Sequence, residues 1–177
     1  MSNIEEIENN WKQFESIISR FDSKNIKTMI EENAERLAVA PANARNTDNN
    51  AVAGGLIKDT MEILKTARMI DAATGKQCDP RTLYKIVVLH NLGSLGTVEK
   101  DLFLPQDSDW HLEKLGMVYK INPSLVGLDR TDLTFQFLAN YGVSLNEEEY
   151  NAILALRTKE PTNHYGKVLL AAKILNK

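Results

Sequence analysis

Residues 86–96 read Ile-Val-Val-Leu-His-Asn-Leu-Gly-Ser-Leu-Gly, an apolar run that ends in a polar pair and then breaks into glycines. The apolar residues and His90 recur at helical spacing, so the imidazole lies on the face that is driven inward. A buried imidazole must be hydrogen-bonded or bound to a ligand. Asn91 can serve the end of this helix, and Gly93 and Gly96 let the backbone leave it. By itself the stretch fits either a core histidine bonded to a carbonyl group or a ligand-binding histidine.

Length, charge and cysteine content limit the class of protein. A chain of 177 residues is expected to form one domain, and a domain of that size buries about 70% of the surface that the unfolded chain exposes. Cys78 is the single cysteine, so neither an intrachain disulfide nor a multi-cysteine metal site can form, which fits a reducing compartment. The net charge of −3 comes from interspersed acids and bases, without the basic stripe that is typical of nucleic-acid-binding proteins.

The N-terminal residues 1–8 are acidic where a secretory signal would be basic. No apolar run approaches the roughly 18 residues that a membrane span requires. We therefore expect a soluble, cytoplasmic protein that does not contact the membrane, and we do not expect nucleic acid as its partner.

Helical periodicity runs through the chain, and no strand-like alternation of useful length interrupts it. The sequence predicts an all-α fold of seven or eight helices, in which an amphipathic helix within residues 1–22 packs on a helical domain formed by residues 23–177. The predicted helices cover residues 4–20, 23–38, 51–74, 80–90, 108–119 and 130–141, followed by one that begins after Asn146 and a last one after Pro161.

Side chains that can cap a helix N-terminus precede the apolar periods at four places: Ser23, Asp79, Ser108 and Asn146. Pro80 follows Asp79 at the first helical position, where the missing N–H does no harm. The acids Glu147 to Glu149 stand in the positive end of a helix dipole, and Glu149 occupies the capping-box position. This run therefore indicates a helix start rather than a metal site.

Asp59 lies on the buried face of the longest helical pattern, three residues after Leu56 and four before Ile63. An unpaired carboxylate is costly in such a place, so the sequence predicts a partner or a solvent-filled cleft. Because His90 also lies on the apolar face of the next helix, we expect the two side chains to meet directly or through water.

Two segments together carry a family resemblance. Residues 49–60, Asn-Asn-Ala-Val-Ala-Gly-Gly-Leu-Ile-Lys-Asp-Thr, and residues 88–96, Val-Leu-His-Asn-Leu-Gly-Ser-Leu-Gly, resemble the two signatures of the HD-domain metal-dependent phosphohydrolases. The likeness continues through residues 104–116 and 129–149, which are similar to uncharacterised phage and bacterial members of that superfamily. It covers about residues 25–175 and implies an HD-domain-like helical bundle.

The resemblance places the chain's polar residues at the family's metal-binding positions. HD enzymes hold one or two divalent metals through imidazole and carboxylate groups, and the metal makes a hydroxide that attacks phosphorus. In this chain Asn50 stands at the first His and Asp59 at the second, while His90 keeps the His of the His-Asp pair. Asn91 replaces its Asp, and Ser94 replaces the lysine that follows the glycine.

These replacements imply that the metal is lost. A neutral amide is a poor ligand for a transition metal, and the last two helices offer Leu156-Arg157 and Ala171-Ala172 where relatives carry further ligands. The amides of Asn50 and Asn91 nevertheless keep donors and acceptors that can hydrogen-bond with Asp59 and His90. The implied site is a vestigial cleft of Asn50, Asp59, His90, Asn91 and Ser94, with no catalytic residue, no metal and no cofactor.

The favoured hypothesis is thus a catalytically degenerate HD protein, phage-encoded, that acts as a binding or protein-interaction module. Its partner would be a protein, a second copy of the chain, or a polar small molecule in the cleft. The alternative is a phosphohydrolase of nucleotides or phosphate esters, in which Asp59 and His90, with His111 or His164, hold Mn²⁺, Mg²⁺, Co²⁺ or Ni²⁺. A structural subunit of a larger assembly is the third hypothesis. His111 and His164 can also be read as surface or capping residues.

Overall fold

The computed structural model describes residues 3–176, so residues 1, 2 and 177 of the predicted end segments lie outside it. Within that range the chain forms nine α-helices and one small antiparallel sheet. The helices are α1 Asn3–Ile18, α2 Lys24–Glu32, α3 Ala34–Val39, α4 Gly55–Ala73, α5 Pro80–Leu89, α6 Asp109–Leu115, α7 Arg130–Asn140, α8 Glu147–Thr158 and α9 His164–Leu175. The strands are β1 Phe103–Pro105 and β2 Tyr119–Ile121.

The predicted all-α class is confirmed in its main feature, although the described residues form nine helices instead of seven or eight and one small sheet. The capping signals act as expected. The side chains of Ser23, Asp79 and Ser108 each accept a hydrogen bond from a backbone N–H in the first turn of their helix. Asn146 and Glu149 form both bonds of a capping box. These signals are local to a few residues, so they do not depend on tertiary packing.

The helix predicted over residues 23–38 is divided, because α2 ends at Glu32 and α3 begins at Ala34. Asn33 interrupts it with a side-chain amide that donates to the Met29 carbonyl oxygen at 2.9 Å and to the Tyr141 hydroxyl at 2.8 Å. Side-chain bonds of this kind compete with the backbone bonds of a helix. The helix predicted over 108–119 is also shorter and ends at Leu115, since Gly116 takes a left-handed conformation (φ +60°).

The prediction that no strand occurs is wrong in one place. Strands β1 and β2 pair with Phe103 opposite Ile121 and Pro105 opposite Tyr119. Each strand is three residues long, which is too short for a period of two to stand out in the sequence. Phe103 belongs to a small hydrophobic cluster beside the main core, with Leu102, Leu125 and Leu133.

Helix α4 lies at the centre of the packing, with α1, α3, α5 and α9 against it. Helix α1 contributes Phe14, Ile17 and Ile18 to the main hydrophobic cluster. None of the helices among residues 3–176 is both long and apolar enough to cross a membrane.

Two glycines, Gly93 and Gly55, allow neighbouring backbone segments to pack very closely. A Cβ atom on Gly93 would lie 1.9 Å from the Arg130 carbonyl oxygen, so α7 could not rest on the single 3₁₀ turn after α5 with any other residue there. A Cβ on Gly55 would lie 2.0 Å from the Asn50 carbonyl oxygen. The glycines thus fix how the loop before α4 and the turn after α5 sit against their neighbours.

Candidate functional site

Asp59 is a buried carboxylate on the inner face of α4, with 3% of its surface exposed. Its Oδ2 atom accepts a hydrogen bond from Lys173 Nζ at 2.7 Å, and a second from Asn91 Nδ2 at 3.0 Å. Lys173 reaches the carboxylate from the last turn of α9. The buried negative charge is therefore neutralised by an ammonium group supplied from the other end of the chain.

Asn91 continues this arrangement into the turn after α5. Its Oδ1 accepts a hydrogen bond from Ser94 Oγ at 2.8 Å, while its Nδ2 donates to Asp59. Ser94, Asn91, Asp59 and Lys173 thus form a continuous hydrogen-bonded chain, which we call the polar cluster. The sequence predicts that the amides of Asn50 and Asn91 bond with Asp59 and His90, and the bond from Asn91 to Asp59 is present.

His90 is 3% exposed and lies next to this chain without bonding to it. Its Nδ1 is 2.6 Å from the Val87 carbonyl oxygen, so Nδ1 carries the proton and donates. Its Nε2 is buried and has no hydrogen-bond partner among residues 4–176. Over the same range Asp59 bonds to Asn91 and Lys173 rather than to His90. No direct hydrogen bond therefore joins the two side chains, although both are buried as the sequence predicts.

Burial lowers the pKa of the His90 imidazole from its ordinary 6.5 to about 4, and the positive charge of Lys173 acts in the same direction. The bond to the Val87 carbonyl and the charge of Asp59 oppose this shift but do not cancel it. His90 is therefore neutral at pH 7. Its contacts match the first of the two interpretations of the sequence, which is a core histidine bonded to a carbonyl group.

Asn50 is not part of the polar cluster. Its backbone has a left-handed conformation (φ +61°), and its Nδ2 donates to Glu62 Oε2 at 2.8 Å. Its carbonyl oxygen accepts from the backbone N–H of Ala42 at 3.0 Å. The predicted association of Asn50 with Asp59 and His90 is thus replaced by a link between the loop and the outer side of α4. A left-handed asparagine in a polar loop cannot be oriented from sequence alone.

Sequence reasoning missed two cations near Asp59. One is Lys173. The other is Arg130, whose Nη1 donates to the Ala42 carbonyl oxygen at 3.1 Å and whose guanidinium lies 5.2 Å from the Phe103 ring centroid. Burial lowers the pKa of Arg130, while the charge of Asp59 acts to raise it. One signal was available for Lys173, since it interrupts the apolar run of residues 168–175 at the end of α9.

Four of the five residues of the predicted cleft lie beneath the surface. Asp59, His90, Asn91 and Ser94 are all buried, and five prominent surface cavities formed by the described residues have other linings. The Lys173 side chain, 27% exposed, is the part of the polar cluster nearest to solvent.

The ligand set of the rearranged metal site is not assembled. His111 Nδ1 lies 2.7 Å from Ser108 Oγ at the start of α6. His164 Nε2 lies 3.4 Å from Asp71 Oδ1, at the far end of α4 from Asp59. Among the residues that the structure describes, the one group of at least three His, Cys, Asp or Glu ligands is formed by Asp71, Cys78 and His164.

Comparison with known proteins identifies no relative, because no family model, no curated protein and no solved structure matches this chain.

Proposed function

We propose that this chain is a catalytically degenerate HD-type protein that works without a metal as a protein-binding module. The observation that carries the proposal is the Lys173 ammonium on the Asp59 carboxylate, at 2.7 Å. In an HD enzyme a divalent cation compensates the clustered acids. Here a permanent side-chain cation provides that compensation, and a second cation at this carboxylate would be repelled.

The other side chains around Asp59 support the same conclusion. Asn91 offers Asp59 an amide donor, where a metal site needs another anionic ligand. The His90 Nε2 lone pair is buried away from solvent, so a water molecule held there could not attack an incoming phosphate. Hydrolysis also requires an open cleft that is large enough for a substrate. Asp59 and His90 are instead buried below the protein surface.

Metal binding and turnover test this proposal on the wild-type chain. We expect no stoichiometric binding of Mn²⁺ or Ni²⁺ at the polar cluster, and no hydrolysis of nucleoside mono- or triphosphates with Mn²⁺, Mg²⁺, Co²⁺ or Ni²⁺ present. Turnover that disappears in His90→Ala would establish the rival phosphohydrolase. Metal binding that disappears in Asp59→Asn but not in His164→Ala would contradict the proposal that the polar cluster holds no metal.

A rebuilt site tests the family assignment. The double substitution Asn91→Asp with Lys173→Ala returns an anionic ligand and removes the competing cation. We expect this variant to gain more thermal stability than the wild type on addition of Mn²⁺ or Ni²⁺, and His90→Ala in the same background to abolish the difference. An unchanged melting temperature with both metal and chelator would mean that these residues are not an HD remnant.

The binding surface that we propose is the groove between α1 and α4. It encloses about 1010 Å³ over apolar side chains such as Ile17, Met61 and Leu64. Its rim carries two carboxylates and five cations, although the chain as a whole has a net charge of −3. The five cations are Lys12, Arg20, Lys58, Lys65 and Arg68. This combination fits an acidic amphipathic helix of a partner protein.

A synthetic helical peptide of Glu and Leu is a suitable probe, with a Lys and Leu peptide of equal length as control. We expect the acidic peptide to bind, and Lys65→Glu with Arg68→Glu to weaken it by about tenfold or more. Lys114→Glu reverses a charge on α6, outside the groove, and is expected to leave binding unchanged. Equal binding of both peptides would contradict the assignment of this groove.

A further inference from the structure

Three side chains with metal-binding chemistry meet at the C-terminal end of α4. Asp71 is in the last turn of the helix, Cys78 lies in the loop that follows, and His164 is the first residue of α9. Their ligand atoms all lie within 4.8 Å of one another. Asp71 and Cys78 are buried, and His164 is partly exposed.

The spacing of these atoms is close to that of a metal site. Zinc binds nitrogen and oxygen at about 2.0–2.2 Å and sulfur at about 2.3 Å, which places tetrahedral ligand atoms roughly 3.3–3.8 Å apart. His164 Nε2 and Asp71 Oδ1 are already 3.4 Å apart. Closing the set therefore needs a shift of about 1 Å or less at the remaining ligand.

The three segments that carry the ligands are held in place independently of any metal. Asp71 Oδ1 accepts from the backbone N–H of Cys78 at 3.0 Å, which folds the loop back onto the end of α4. Asn163 caps α9 and fixes its first turn, where His164 lies. The backbone N–H of Asp79 donates to the Tyr165 hydroxyl at 3.0 Å, which joins the loop to α9. The ligand positions are thus prearranged.

We propose that Asp71, Cys78 and His164 form a binding site for a divalent cation of the zinc class, with a fourth position open to water. One thiol, one imidazole and one carboxylate suit Zn²⁺ or Co²⁺, whereas Mg²⁺ and Ca²⁺ take oxygen ligands. A cavity of about 300 Å³ gives room for the fourth ligand, and Arg68 and Lys76 line it together with Asp71 and Cys78. On binding, the Cys78 sulfur forms a bond to the metal and its proton passes to solvent.

This site does not depend on the proposed function. Asp59 and Asp71 are twelve residues apart on α4, which separates them by about 18 Å along the helix axis. Metal at Asp71 would leave the polar cluster of Asp59 and Lys173 as it is. A metal found in the purified protein must therefore be located before it is counted for or against a metal-free HD-type module.

Cobalt substitution of the full chain tests the proposal. With Co²⁺ added under reducing conditions, we expect one ion per chain, a thiolate-to-cobalt charge-transfer band and tetrahedral visible bands, all displaced by Zn²⁺. Cys78→Ser should remove the charge-transfer band and the proton released on binding. His164→Ala should weaken binding by about tenfold or more.

His111→Ala and Asp59→Asn are matched controls, because both change a ligand type found in the cluster but lie outside it. Both are expected to keep the band, and thermal melting verifies that each variant is folded. Absence of stoichiometric Co²⁺ binding by the wild type would overturn the proposal, and so would a charge-transfer band that survives Cys78→Ser. Binding lost only in Asp59→Asn would overturn it too, and would in addition contradict the proposed function.

Discussion

The two ends of α4 stabilise a buried carboxylate in different ways. Each carries a buried aspartate, Asp59 near its start and Asp71 near its end. Asp59 is held by a full positive charge, that of Lys173, together with an amide donor. Asp71 is held by the backbone N–H of Cys78 and by the ring of His164.

The difference decides what each end can bind. A carboxylate paired with a lysine has its charge already compensated, so a metal would have to displace or repel an ammonium group. A carboxylate that accepts from a backbone N–H group keeps its negative charge available, and at Asp71 a thiol and an imidazole lie beside it. We infer that the start of α4 is closed to cations and its end open to them.

Lys173→Met should have the largest effect on stability, because it removes the ion-pair partner of the buried Asp59 charge. We expect a loss of about 3–5 kcal/mol in the free energy of unfolding, measured by urea denaturation at pH 7. The substitution keeps the length and much of the volume of the side chain, so lost packing contributes little.

The double variant Lys173→Met with Asp59→Asn is the matched control for that measurement. Removing both charges together should recover most of the stability, since an amide can bond with Asn91 and needs no cation. If Lys173→Met costs less than about 1 kcal/mol, the ion pair behaves as a surface pair and the contrast between the two ends of α4 disappears.

His90 should make stability depend on pH near the polar cluster. Its pKa is about 4 in the folded chain and 6.5 in its ordinary state. Because the unfolded chain takes up the proton first, this contribution to stability is fully present above pH 6.5 and is lost as the pH falls towards 4. A shift of this size corresponds to about 3 kcal/mol.

Urea denaturation at several values between pH 7 and pH 4 measures this slope. His90→Gln should flatten the slope over the window, whereas His111→Gln, on α6, should leave it as in the wild type. Equal slopes for the wild type and His90→Gln would mean that the imidazole is not buried in its neutral form.

Asp71→Asn should have the smallest effect of the three. The amide oxygen can still accept from the Cys78 backbone N–H, so only the charge of the acceptor is lost. We expect a loss of about 1 kcal/mol in metal-free buffer, the difference between a charged and a neutral acceptor. A loss as large as that of Lys173→Met would show that the two ends of α4 are not held in different ways.

The sequence by itself determined the features that depend on near neighbours in the chain. The caps at Asp79 and Asn146 can be predicted from the sequence, because each side chain accepts from a backbone N–H group in the first turn of the helix that follows it. The burial of Asp59 and His90 followed from their place in an apolar helical period, and both are buried. The helical fold class rests on the same periodicity.

Only the tertiary structure decided which side chains meet. Lys173 is 114 residues from Asp59, and His164 is 93 residues from Asp71, so helix periodicity cannot indicate either contact. Asn50, nine residues before Asp59 in the chain, turns instead to Glu62 because its left-handed backbone directs the side chain there. A buried carboxylate requires a hydrogen-bond donor or a cation. Which side chain provides it depends on the packing of α9 against α4.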